Sequence, residues 1–177
     1  MSLTNREFWT LVHGMILGSL FLLAFAGGLA GLWSLRPEFV TAAGMRDRIR
    51  RLDWGVSLMA VVCWLTVITG TWIVYPWYRA APPEGTTDLS TYPRSLLLAS
   101  EATAKWHEFG MEWKEHVAWI APFIITAVAF IVWHYGDRLS ARERMRKTVI
   151  TLFVLGFALA AIAGLFGALI TKSAPIK

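Results

Sequence analysis

Residues 148–170 read TVITLFVLGFALAAIAGLFGALI, a run without a single charged side chain. A helix needs roughly 20 apolar residues to cross a hydrocarbon core about 30 Å thick, and this stretch is long enough. Three further runs have the same character: about 8–35, 54–78 and 113–135. Together they predict an all-α integral membrane protein, a four-transmembrane-helix bundle. Subtracting the spans leaves short tails and three connections, so residues 1–177 form one membrane domain in this reading.

Composition agrees. Of 177 residues, 56% are hydrophobic and only 16% charged, well below the quarter expected of a soluble domain. The net charge of +5 does not point to nucleic acid, because most basic residues sit in two short clusters beside the spans. One cluster holds Arg36, Arg46, Arg48, Arg50 and Arg51, and the other Arg138, Arg142, Arg144, Arg146 and Lys147. By the positive-inside rule these two loops are cytoplasmic and both termini extracytoplasmic, as in a bacterial inner (cytoplasmic) membrane. The lone Cys63 falls mid-span, so neither an intrachain disulfide nor a CxxCH haem attachment is available. The first span is too long for a signal-peptide core and begins with a capping signal, Thr4 to Glu7, so it reads as a retained helix.

The connection between the second and third spans is more than a loop. Ala81-Pro82-Pro83-Glu84-Gly85 breaks the second helix, and from Arg94 to Glu112 no proline interrupts the chain. Glu101, Lys105, Glu108, Glu112 and Glu115 recur at helical spacing, with Leu98, Ala102, Trp106, Phe109 and Trp113 beside them. This predicts an extracytoplasmic amphipathic helix over about 94–112, lying on the surface or running into the third span with a bend near Gly110. Glycines at Gly14 and Gly18, Gly27 and Gly31, and Gly156, Gly164 and Gly167 allow close helix packing or the approach of a flat ligand. Tryptophans and tyrosines at the span ends, among them Trp72, Tyr75 and Tyr78, read as interfacial anchors.

The histidines carry the functional argument. His13 is five residues into the first span and His116 three into the third, both counted from the outer face. At about 1.5 Å per residue they lie roughly 5–8 Å below that interface. Neutral imidazole is a strong iron ligand, and bundles build cofactor sites from facing helices. The pair therefore predicts one haem b near the outer face, with His13 and His116 as metal ligands. Arg79 is the first cation available to its propionates, with Lys114 and Arg94 behind it. His107 is a further cofactor-binding candidate, as a replacement ligand or as a hydrogen-bond partner of a quinone headgroup. Glu108 or Glu112 would take the protons released there. His134, at the cytoplasmic end, has only Met59 as a soft donor at similar depth and reads as an interfacial histidine.

This layout resembles that of small four-helix membrane b-type cytochromes and quinone-reactive anchor subunits. The resemblance is to an arrangement rather than a motif, so no catalytic residue is carried over. It implies an electron-transfer subunit of a quinol-linked oxidoreductase, exchanging electrons with quinol, a periplasmic redox protein or other membrane subunits. The alternative is a non-catalytic accessory or assembly subunit of a respiratory or photosynthetic complex. A transporter is disfavoured, because no acidic or basic residue lies in the middle of any span and no broken half-helices are evident.

Overall fold

A computed structural model describes residues 2–39 and 41–175 of the chain. The described residues are helical and contain no strand. Four helices are long and apolar enough to cross a membrane: α1, Asn5–Ser34; α2, Ala43–Arg79; α4, Glu101–Ala141; and α5, Glu143–Ser173. A short helix, α3 (Pro93–Leu98), precedes α4, and a 3-10 turn at Pro37–Phe39 follows α1. Only 22–33% of the most apolar window of each long helix is buried within the chain. Leu23, Trp54, Trp72, Trp133 and Leu165 are each at least 60% exposed. Such a surface would be costly in water and suits a bilayer.

Helix ends follow local chemistry. Thr4 and Glu7 form the expected capping box: Thr4 Oγ1 accepts from the Glu7 amide at 3.2 Å, and the Glu7 carboxylate accepts from the Thr4 amide at 2.8 Å. After α2 the chain turns at Pro83–Thr86, where Gly85 takes a φ of +81° that other residues rarely adopt. The segment predicted as an amphipathic helix is divided at Ala99–Ser100: its first part is α3, and its second continues into α4. Thr103 Oγ1 donates to the Leu97 carbonyl at 2.7 Å and holds the two parts together.

The residues group into two compact units. One comprises Ser19–Trp64 and Ile120–Leu159. Its core is a run of phenyl rings: Phe25 stacks on Phe157 at 3.6 Å and on Phe153 at 5.4 Å, while Phe21 stacks on Phe157 at 5.5 Å. Gly28 makes room for this core, since a methyl group there would lie 2.6 Å from Phe153 Cζ. Gly156 does the same for Ile125, and Gly136 for Ile49. At the arginine-rich end, Arg146 is 7% exposed and donates through Nη1 to the Leu35, Leu139 and Ser140 carbonyls.

The other unit comprises the stretch ending at Gly18, Leu65–Trp119, and the stretch beginning at Ala160. Tyr78, Leu97, Met111, Ile170 and Ala174 form its buried apolar cluster, with Tyr75, Leu96 and Trp106 packed on it. Phe166 fills the space left by Gly110 and meets Phe109 and Trp113 edge-on. Arg6 ties the start of α1 to the Thr91 carbonyl at 3.2 Å. The polar residues of interest lie in this second unit.

Candidate functional site

Three of the long helices lose their regular turn within this unit. π-helical stretches occupy Val12–Ile16 in α1, Gly70–Val74 in α2, and Trp106–Met111 and Trp113–Val117 in α4. Two have an evident cause. Pro76 and Pro122 each lack the amide that would donate one turn back, and each follows a π-helical stretch. Wider bonds run through these stretches, from the Tyr75 amide to the Gly70 carbonyl and from the Ala118 amide to the Trp113 carbonyl. A π turn adds a residue and re-aims the side chains beyond it; such turns recur at functional sites.

The re-aimed side chains form two parallel pairs. Tyr75 donates to Glu115 Oε1 at 2.5 Å, and Tyr78 shares a 2.7 Å hydrogen bond with His107 Nδ1. The two phenol rings are 6.3 Å apart and 17° from parallel. The Arg79 guanidinium lies 5.3 Å over the Tyr75 ring. Arg94, on α3, is close enough to act electrostatically on both Tyr78 and His107. Its Nε is buried and makes no hydrogen bond among the described residues. Lys114 reaches from α4 to the Ala163 carbonyl at 3.4 Å, over Gly167, where a methyl group would come within 3.0 Å of its Nζ. A cation held there against helix backbone is costly unless its surroundings are polar.

His13 packs on α2. Its Nδ1 is 3.1 Å from Thr69 Oγ1, and its ring fills the space above Gly70, where a methyl group would lie 2.7 Å from Cε1. Thr69 spends its own proton on the Leu65 carbonyl at 2.7 Å, so its oxygen accepts from the ring. That contact matches the tautomer protonated on Nδ1, the one in which Nε2 would be the metal-binding nitrogen. His116 is held likewise: Nδ1 donates to the Glu112 carbonyl at 3.1 Å, with the Glu112 carboxylate 3.3 Å away.

The two imidazoles are not brought together. The His116 side chain is 69% exposed, beside an equally exposed Glu112. His13 faces α2 instead. Each imidazole is held by a hydrogen bond at Nδ1, His13 against Thr69 and His116 against Glu112. Arg79 and His107 do meet in one cluster, through Tyr75 and Tyr78. His134 bonds to the Phe130 carbonyl at 3.0 Å and lies over the Phe130 ring, exposed, whereas Met59 is fully buried. Among the described residues, no group of three or more His, Cys, Asp or Glu side chains could hold a metal ion.

Sequence reasoning assigned Tyr75 and Tyr78 to the aromatic belt and Glu115 to a solvated stripe. The available signal was their spacing around Pro76, three residues apart on a helix forced to open, with two basic residues nearby. No protein-family model, curated protein or solved structure matches this chain.

Proposed function

We propose that the chain is an electron-transfer subunit of a quinol-linked membrane complex, handling a quinone headgroup at the Tyr75, Tyr78, His107 and Glu115 cluster. The observation that carries this reading is the two phenol–acceptor pairs with the unused Arg94 donor beside them. A quinol presents two hydroxyls and a quinone two carbonyls, so its site needs acceptors and donors that can exchange roles. Histidine, carboxylate and phenol can do so; arginine donates in either state. By the positive-inside rule this is the extracytoplasmic end in this reading, where Arg94–Glu112 would cover the headgroup and a periplasmic redox protein would dock. Of the acidic residues, Glu115 replaces Glu108 and Glu112 as the first proton acceptor, because it already bonds a phenol.

Haem b is the electron carrier in this reading, with His13 as its first ligand because Thr69 Oγ1 holds the ring through Nδ1. Haem would supply one-electron chemistry; the residues here would position the headgroup and take its protons. A dithionite-reduced minus oxidised spectrum with a pyridine haemochrome assay tests this on detergent-purified protein. The expected result is about one haem b per chain, lost in His13→Ala and kept in His134→Ala. Loss in His116→Ala as well would mean that helix α4 turns this side chain inward on binding. A colourless protein, purified after growth with ample haem, would overturn the haem assignment.

One observation favours the second reading, an accessory or assembly subunit. Methyl groups on Gly14, Gly18 and Gly164 would meet nothing within 4 Å, so these small residues do not serve packing inside the chain. Small residues facing outward let a neighbouring helix approach closely. Co-purification of other membrane subunits from native membranes, with no haem on this chain, is the result that reading expects.

A further inference from the structure

We propose that the groove between the end of α4 and the start of α5 binds an anionic phospholipid, its phosphate on Arg142 and Arg144. The groove measures about 630 Å³. Arg142, Arg144 and Thr148 line its polar part, and Ile131, Met145 and Val149 its apolar part. Arg142 and Arg144 are exposed, and neither makes an ion pair among the described residues. The one carboxylate on the rim, Glu143, is bonded to Lys147 at 2.7 Å, which offsets its repulsion of a phosphate. A second groove, of about 500 Å³, shares Arg144 and Thr148 and adds Lys147, so the cationic edge continues around α5.

The shape separates a lipid from a free anion. Ile131 precedes Arg142 by roughly 16 Å of helix, and Val149 follows Arg144 by about 7 Å, at 1.5 Å per residue. The apolar walls therefore run from the cationic rim down the spans, as an acyl chain does from its phosphate. Basic pockets at the ends of membrane helices recognise acidic headgroups in this way, and an apolar floor gives no advantage to inorganic phosphate.

Lipid binding to the intact purified chain, followed by native mass spectrometry, tests this with phosphatidylglycerol and phosphatidylcholine as probes. The wild type is expected to hold phosphatidylglycerol in preference to phosphatidylcholine. The Arg142→Gln/Arg144→Gln double variant should bind phosphatidylglycerol roughly thirty-fold more weakly, each basic group near an anionic headgroup being worth about a factor of five. Arg50→Gln/Arg51→Gln, in the other arginine-rich segment, should leave binding unchanged. Equal retention of the two lipids, an unaffected Arg142/Arg144 variant, or an equal loss in the Arg50/Arg51 control would each overturn the site. Displacement of the lipid by inorganic phosphate at comparable concentration would overturn it in favour of a free-anion site.

Discussion

Arg146→Ala is expected to lower the unfolding temperature of the detergent-solubilised protein by roughly 6–12 °C. One guanidinium nitrogen, Nη1, donates to the carbonyls of Leu35, Leu139 and Ser140 at 3.1, 3.2 and 3.1 Å. Leu35 stands just past the end of α1, and Leu139 and Ser140 lie in the last turn of α4. Carbonyls at helix C-termini lack intrahelical donors and carry the negative end of the helix dipole, so a buried cation there satisfies two helices at once. Arg48 gives similar cover to the Ser34 carbonyl at 3.0 Å, which leaves Arg146 as the buried member of the set. Hydrogen bonds to a charged group contribute roughly 1.5–3 kcal/mol each, and three on one nitrogen do not add. A loss of about 3 kcal/mol, at about 2–4 °C per kcal/mol for a chain of this size, gives the stated shift. Arg146→Lys keeps the charge without the fork and should recover about half of it. A thermal melt of Arg146→Ala within about 2 °C of wild type would show that the contact does not hold the helix ends.

Arg146 also marks how far the sequence could be read. Its place in a basic cluster was visible, but not which of five basic residues turns inward. The spans were legible because a long apolar run has few alternatives. Their helices extend past those runs, to Ala43 in α2 and to Ala141 in α4, because the arginine-rich ends contain no proline and pair along the helix. Asp47 with Arg50 and Glu143 with Lys147 are such pairs.

The site was less legible, for a geometric reason. Counting at 3.6 residues per turn put His116 on the face of Trp113, Val117 and Ile120. The turn between Trp113 and Val117 is π-helical, however, and the next is interrupted at Ala118–Trp119 before Pro122. A regular count cannot be carried through such a stretch, and His116 shares its exposure with Glu112 and Ile120. The same effect in α2 hid Tyr75 and Tyr78. An aromatic at a span end is usually an anchor, and here the two follow an opened turn and bond to Glu115 and His107. The break at Ala99–Ser100 had no glycine or proline to announce it.

The second large effect belongs to those tyrosines. Tyr78→Phe and His107→Ala are each expected to weaken binding of a short-chain quinone by roughly 10- to 100-fold, measured by quenching of tryptophan fluorescence. Either change removes the 2.7 Å bond and leaves its partner polar group without its mate beside an apolar cluster. A lost hydrogen bond at such a place costs about 1–3 kcal/mol, which is that range of affinity. Because both substitutions delete one shared interaction, the double variant should bind no more weakly than the worse single variant; independent contributions would multiply instead. Glu115→Gln keeps an acceptor for Tyr75 but removes the charge, so it should spare quinone binding while slowing quinol oxidation, where a proton must be taken up. The thermal melt separates this from a structural role. If quinone affinity stays at the wild-type value while the melting temperature falls in both single variants, the Tyr78–His107 bond is a packing device, and the outward-facing glycines then argue for an accessory subunit. If affinity falls with the melting temperature held, the opened turns of α2 and α4 exist to present these groups to a ligand.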